Sequence, residues 1–269
     1  MHILPGSHQP FRSFPLRIVS LAPSVTSILL SIGAGRHLVG VSKWCHDVAN
    51  VGRRPTVGDC WKLDVDEVAR LHPTHVIGSV PFATEAVEKI LRQPFIFIAL
   101  NPRSLADMET DILTLGRLTG KIPQSRLLVA RMRGSFLRIA DRARKLLGRS
   151  LPCRVYSEAW PNPRISSPPW VAELIALTCG KMCVPPGSRV TDSDVAASSP
   201  DVILLAWTAT GPRSRVSTVL DNPRWRGVPA VVHRRVFAIR DEWLNTPGPP
   251  LVFGARAILR ALAASKGRT

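Results

Sequence analysis

"RIVSLAPSVTSILLSIGAGRHLVGVSKWC", residues 17–45, indicates the fold class of the chain. It contains an apolar strand, a break at Pro23 and Ser24, a short apolar helix, a Gly-Ala-Gly stop and a second strand. This order predicts a parallel βαβ unit, because a crossover that carries a helix returns the chain in the same direction. Ser24 is predicted either to cap the helix or to contact a ligand at the exposed helix start.

Apolar strands and amphipathic helices continue to alternate through the first half of the chain. We predict strands at 17–22, 37–41, 74–79 and 95–100, and helices at 26–32, 65–71, 84–91 and 105–118. A series of this kind predicts a parallel sheet with helices on its faces.

The second half of the chain repeats the first in the same order. "RIVSLA" at 17–22 matches "RVYSEA" at 154–159, and "SILLSIGA" matches "ELIALTCG" after it. "DEVARLHPTHVIGS" at 66–79 matches "SDVAASSPDVILLA" at 193–206, with a proline stop at the same place in each. Three ordered matches predict two similar lobes.

Between the repeats, "PQSRLLVARMRGSFLRIADRARKLLG" places apolar residues at mostly helical spacing. Pro123 suits a first helical turn and Gly148 a stop, so we predict a helix of about 24 residues, ~36 Å long. We therefore expect an α/β fold of two Rossmann-like lobes with parallel sheets, joined by one long α-helix. The predicted boundaries are 16–121 for the N-terminal lobe, 122–149 for the connecting helix and 150–269 for the C-terminal lobe.

The charge balance is strongly basic, with 36 Lys plus Arg against 19 Asp plus Glu, a formal net charge of +17. The arginines are scattered singly, which favours a solvated surface over a nucleic-acid site. The basic residues of the long helix fit a solvated face, and an acidic partner is the alternative. A basic nucleic-acid-associated protein is an alternative, and its binding to nucleic acid would be weak and abolished by salt.

Catalytic motifs are absent from the sequence. There is no Gly-x-Gly-x-x-Gly, P-loop, Gly-x-Ser-x-Gly or His-Glu-x-x-His segment. Cys179 and Cys183 lie four residues apart, but no second pair completes a tetrahedral metal set. We expect no metal, no resident cofactor and no enzymatic activity; an enzyme that uses Glu158 or Glu242 in a cleft is the remaining alternative.

The chain has seven tryptophans and a single tyrosine. Trp44, Trp160, Trp207 and Trp243 follow predicted strands, whose carboxyl ends face the ligand crevice in an open parallel sheet. They predict an aromatic-lined cleft for a large, flat, partly apolar ligand. Trp225, after "DNPR", is expected in a surface loop.

Three segments of the chain resemble the cobalamin-binding proteins of bacterial ABC importers, in the helical-backbone metal-receptor superfamily. They are the stretch at 17–45, "PTVGDCWKLDVDEVARLHPTHVIGS" and "DEWLNTPGPPLVFGARAIL". The likeness covers residues 16–262. It implies the class III substrate-binding architecture, with two lobes joined by one long helix and a ligand between them. The implied ligand is cobalamin or a related corrinoid; haem or a ferric siderophore is the alternative within the same fold.

The resemblance also implies roles for particular residues. Trp44 and Trp61 would line one wall, Glu242 and Trp243 the other, and Asn162 a turn at the cleft edge. With the residues at strand ends, the predicted ligand-binding set is Pro23, Ser24, Trp44, Trp61, Trp160, Asn162, Trp207, Glu242 and Trp243. A permease would dock through Asp66 on one lobe and Asp192 or Asp194 on the other.

The N-terminal segment and the family resemblance indicate different locations. "MHILPGSHQPFRSFPLR" has no apolar run of the ~7–15 residues that a signal peptide requires, which predicts a cytoplasmic protein. The resemblance implies the periplasm or cell surface instead, with an ABC permease as partner. A cytosolic relative that has no permease partner is the alternative. We expect a monomer, no membrane insertion and no specific nucleic-acid partner.

Overall fold

Each half of the chain folds around its own β-sheet, and one long helix connects the halves. The structure, a computed structural model, describes residues 15–59, 62–148, 152–208 and 216–266. The architecture is the predicted α/β fold of two Rossmann-like lobes joined by one long helix.

The first lobe is built on an all-parallel sheet with the strand order β3-β2-β1-β4-β5. Its strands are β1 (Ile18–Ser20), β2 (Leu38–Ser42), β3 (Thr56–Val57), β4 (His75–Ser79) and β5 (Ile96–Leu100), and its helices are α1 (Pro23–Ser31), α2 (Val65–Ala69), α3 (Thr84–Leu91) and α4 (Leu105–Leu118). Helix α1 begins at Pro23, earlier than the predicted 26, because proline is tolerated in a first helical turn.

The second lobe has a mixed sheet. Its strands are β6 (Cys153–Pro161), β7 (Arg164–Ser166), β8 (Gly180–Met182), β9 (Val202–Leu205) and β10 (Val236–Ala238), and its helices are α6 (Pro169–Leu177), α7 (Asp192–Ala197), α8 (Val216–Leu220), α9 (Pro229–Val232) and α10 (Leu251–Lys266). Strand β6 pairs in parallel with β8 and β9, but β7 is antiparallel to β6. This departs from the prediction of parallel sheets, because a turn as short as Asn162–Pro163 returns the chain in the opposite direction.

The sequence repeat corresponds to equivalent strands in the two sheets. Strand β1 lies between β2 and β4, and β6 lies between β8 and β9 in the same parallel arrangement. Ile18 pairs with His75, and Val155 pairs with Val202. The matched segments therefore build the same central pairing in each lobe.

Helix α5 (Ile122–Leu147) connects the lobes. Its 26 residues extend ~39 Å at 1.5 Å per residue. Val129, Met132, Phe136, Ile139 and Ala143 form its buried stripe, which belongs to one hydrophobic cluster with residues of both lobes. Helix α5 packs against α4, α6 and α10.

Trp225 is fully buried, so the prediction of a surface loop there is wrong. Its ring meets Tyr156 edge-on with centroids 6.1 Å apart, and the Arg164 guanidinium lies 4.4 Å from its centroid. Its indole N–H donates to the backbone carbonyl of Asp192 at 3.1 Å. The segment "DNPRW" carries polar and proline residues that are typical of a loop, but the aromatic at its end completes the second lobe's core.

We expect Trp225→Ala to lower the free energy of unfolding by about 3–5 kcal/mol, because it empties a buried aromatic site. Urea denaturation followed by circular dichroism measures this loss. Leu137→Ala is the matched control, since Leu137 is 69% exposed on α5 and its truncation should cost under ~0.5 kcal/mol. Equal losses in the two variants would contradict the burial of Trp225.

The half-buried carboxyl of Asp111 on α4 should make the stability of the protein depend on pH. Burial, with a smaller contribution from Asp107, raises the pKa of Asp111 from 3.8 to about 6. A raised carboxyl pKa means that the folded state holds the proton more tightly, so wild-type stability falls as the pH rises from about 4 through 6. Asp111→Asn should therefore be more stable than wild type at pH 7.5, and the difference should vanish near pH 4. Urea midpoints at both pH values test this; a difference independent of pH would contradict it.

Candidate functional site

A cleft between the lobes encloses about 350 Å³ and is open to solvent. Its first wall follows the carboxyl ends of β1, β2 and β4, and its second follows β6, β9 and β10. The lining includes Pro23, Ser24, Trp44, Asp47 and Asp59 from the first lobe, and Trp160, Trp170, Thr208, Asp241 and Glu242 from the second. Parallel strands that end at one sheet edge bring their following loops together, which explains how distant segments meet here.

The structure brings part of the predicted ligand-binding set together at this cleft. Pro23, Ser24, Trp44, Trp160 and Glu242 all line it. Ser24 lies inside the first turn of α1, where the cap residue Ala22 makes no side-chain hydrogen bond. Capping is therefore not the role of Ser24, and ligand contact by these five residues remains a prediction.

Hydrogen bonds fix the three indoles among the described lining residues of the cleft. The Trp44 N–H donates to Asp59 Oδ2, that of Trp160 to the Asn162 carbonyl, and that of Trp170 to the Leu244 carbonyl, each at 2.8 Å. An aromatic ring held in this way loses little conformational freedom when a ligand stacks on it. The cleft therefore presents preorganised aromatic surfaces.

The cleft lining is acidic although the chain as a whole is basic. Asp47, Asp59, Asp241 and Glu242 line it, and the described lining residues include no Lys or Arg. Lys43 lies 3.5 Å from Asp59 Oδ2, and Arg240 pairs with Glu242, so two of these carboxylates are partly neutralised. The lining offers hydrogen-bond acceptors to a ligand that carries N–H donors.

Two predicted aromatic residues do not reach the cleft, which corrects the prediction for both. Trp207 is 7% exposed and donates its N–H to Glu158 Oε1 at 2.8 Å within the second lobe. Trp243 packs against Phe253, with centroids 5.9 Å apart, and borders a different cavity. It does not face Trp44, because the short 3-10 turn Asp241–Trp243 directs Glu242 and Trp243 to different sides.

The remaining predicted residues have other positions. Asn162 supports the Trp160 indole through its carbonyl and does not line the cleft. Trp61 lies outside the described residues. Trp170 lines the cleft, although the sequence analysis did not predict it. It lies at the start of helix α6, whereas the prediction considered only tryptophans that follow strands.

A buried carboxylate supports the second wall from behind. Glu158 is fully buried and accepts hydrogen bonds from Tyr156 Oη at 2.6 Å, Trp207 Nε1 at 2.8 Å and Arg164 at 2.8 Å. Burial and the charge of Glu158 raise the pKa of Tyr156. Glu158 does not line the cleft, so it cannot serve as the cleft carboxylate of an enzyme.

The three predicted docking acids differ in their surroundings. Asp66 is exposed in the first turn of α2. Asp192 binds Arg164 at 2.7 Å and Arg224 at 3.0 Å; burial alone would raise its pKa, but these bonds hold it below its usual value. Asp194 accepts from the Thr191 N–H and hydroxyl in a capping box, and these bonds lower its pKa. The exposed side chain of Asp66 is accessible to a permease, whereas Asp192 and Asp194 of the second lobe already bind other residues of the chain.

Within the described ranges, no three His, Cys, Asp or Glu side chains come together in a way that would hold a metal ion. None of the helices in those ranges is long and apolar enough to cross a membrane.

Comparisons with known proteins match nearly the whole chain. A family model described as periplasmic binding protein matches residues 18–243. The chain is 24% identical over 258 residues to the uncharacterized ABC transporter substrate-binding lipoprotein YvrC of Bacillus subtilis, covering 92% of this chain and 80% of that protein. It is 21% identical over 256 residues to a vitamin B12-binding protein of Yersinia pestis, covering 92% and 86%. The solved structure of a periplasmic heme binding protein from Pseudomonas aeruginosa matches with a TM-score of 0.82 at 19% identity, covering 94% of each chain.

We expect Glu158→Gln to lower the free energy of unfolding by about 3 kcal/mol, because it leaves Arg164 partly uncompensated in the interior. Guanidinium denaturation measures the loss. Asp141→Asn is the control: it removes an exposed pair with Lys145 and should cost under ~1 kcal/mol. A Glu158→Gln protein as stable as wild type would show that the buried charge contributes nothing.

Proposed function

The chain belongs to the periplasmic binding protein family, and we propose that it binds cobalamin or a related corrinoid, without catalysis, in the cleft between its lobes. The observation that carries the proposal is the combination of fixed indoles and carboxylates in the cleft lining. Each feature matches one part of a corrinoid.

The aromatic surfaces match the macrocycle. A corrinoid ring is large, flat and partly apolar, and stacking on tryptophan contributes about 0.5–1.5 kcal/mol beyond the buried area. The described cavity of about 350 Å³ encloses only part of such a ligand, so the ring would enter edge-on and the remainder would occupy the open mouth.

The charge of the cleft favours a corrinoid over the alternatives in the same fold. Corrinoid side chains end in amides, whose N–H groups donate to carboxylates such as Asp47 and Glu242. Haem propionates and anionic siderophores would instead meet these carboxylates with no Arg or Lys among the described lining residues. Haem binding is the second candidate, because a solved haem-binding protein shares the fold.

The metal chemistry supports the same choice. Proteins hold haem iron through His, Cys, Met or Tyr, and none of these types occurs among the described lining residues. A corrinoid needs no protein ligand in this cleft, because its cobalt can carry both axial ligands with it.

The family premise also supports a partner and a location. Its relatives are named as ABC transporter substrate-binding and periplasmic proteins. We propose an ABC permease as partner, outside the cytoplasmic membrane, with Asp66 as a contact. The ion pairs of Asp192 with Arg164 and Arg224 would have to rearrange for that residue to contribute equally.

Titration with cyanocobalamin tests the ligand, because cobalamin absorbs visible light and should quench tryptophan emission at one site per chain. Trp44→Ala and Trp160→Ala should each weaken binding several-fold to about tenfold, since ~1.4 kcal/mol corresponds to tenfold in Kd. Trp243→Ala is the matched control and should change the Kd less than about twofold, because Trp243 does not line the cleft.

Three outcomes would contradict the corrinoid proposal or the position of its site. Saturable binding of haem more than about tenfold tighter than cobalamin would replace the corrinoid proposal with the haem alternative. No saturable binding of cobalamin, cobinamide or haem would contradict a tetrapyrrole-type ligand altogether. If Trp243→Ala weakened binding as much as Trp44→Ala, the ligand would not lie in this cleft.

A further inference from the structure

A second cavity lies between the long helix α5 and the last helix α10. It encloses about 610 Å³, against about 350 Å³ for the cleft, and shares no lining residue with the cleft. We call it the α5–α10 groove. Its lining includes Ser135, Arg138, Arg142 and Leu146 of α5, and Phe253, Arg256, Leu259 and Arg260 of α10.

Four exposed arginines line the walls of the α5–α10 groove. Arg138 and Arg142 are one helical turn apart on α5, and Arg256 and Arg260 are one turn apart on α10. Within the part of the chain that the structure describes, none of the four forms an ion pair. Helix α10 has no acidic residue, and the one acid of α5, Asp141, binds Lys145 at 2.8 Å.

The floor between these arginines is apolar. Ile139 and Leu259 are buried there, while Phe253 and Leu146 stay 51% and 48% exposed. The groove therefore combines an apolar bottom with two rows of cations. Like charges one turn apart on a helix destabilise the helix, and an anionic occupant would reverse that effect.

We propose that the α5–α10 groove binds an acidic amphipathic helix of a partner protein. From Ser135 to Leu146 the wall extends ~16 Å, about three helical turns. A docked helix would place its apolar stripe on the floor and its Asp or Glu side chains, spaced by one turn on both flanks, against the two arginine pairs.

Other anionic partners fit the groove less well. A bilayer surface is too flat to reach the buried floor between two helices. A phosphodiester backbone would pair with the arginines but would place polar groups against Phe253 and Leu259. A second copy of this chain is disfavoured by the +17 charge that both copies carry.

The test uses a fluorescein-labelled synthetic helical peptide of about 15 residues, with Leu at i, i+3, i+4 and i+7 and Glu on both flanks. Fluorescence anisotropy with the full chain at low salt should show saturable 1:1 binding. Arg138→Glu/Arg142→Glu and Arg256→Glu/Arg260→Glu should each weaken binding at least about tenfold. The same peptide with Gln for Glu should lose binding to the same degree.

Arg126→Glu/Arg144→Glu is the matched control, because it makes the same charge change on α5 outside the groove. It should weaken binding less than about threefold. An effect equal to that of the groove variants would overturn the proposal in favour of bulk charge, and absence of saturable peptide binding would overturn it outright. Tighter, groove-dependent binding of an oligo-dT strand or of phosphatidylglycerol vesicles would replace the partner. Thermal melts identify a variant that fails to fold. In that case the other double variant and the Gln peptide test whether binding depends on the groove arginines and the peptide carboxylates.

Discussion

The buried stripe of helix α5 holds the two lobes together. Met132, Phe136 and Ile139 belong to a hydrophobic cluster that also contains Ile18 of the first sheet and Val155 of the second. A close approach between α4 and α5 fixes the start of this helix, since a Cβ on Gly116 would lie 2.2 Å from Ser125 Oγ. Because protein cores are close-packed, a shared cluster of this kind limits how far the lobes can move apart. The cleft therefore has a defined geometry before any ligand enters.

The distribution of charge follows from this arrangement. The inward-facing side of α5 must be apolar to join the lobes, so its arginines are confined to the outer surface. The cleft, built from loops after strands, carries Asp47, Asp59, Asp241 and Glu242 instead. The net charge of the whole chain, +17, thus does not describe the ligand site, whose described lining residues include no Lys or Arg. Two kinds of surface, one acidic and aromatic and the other rich in arginine, are separated by the shared core.

The second wall of the cleft depends on a buried ion pair across one hairpin. Glu158 on β6 binds Arg164 on β7, and Trp160 lies between them in sequence at the cleft edge. Arg164 also binds Asp192, so one cation connects the hairpin to the start of α7. Breaking the pair with Glu158 leaves Arg164 only partly compensated by Asp192, which makes the arrangement of this wall sensitive to a single substitution.

Local sequence patterns predict the alternation of strands and helices, the internal repeat and the long connecting helix. These features depend on local periodicity and on stops such as Pro123 and Gly148, which act within a few residues of themselves. The strand-end rule also placed Trp44 and Trp160 at the cleft, because the carboxyl ends of parallel strands share one edge. Tertiary packing adds Trp170 to the cleft lining and keeps Trp207 and Trp243 away from it. The direction of a side chain in a short turn, and the partner that a buried indole finds, depend on contacts between segments far apart in the chain, and no local pattern encodes them.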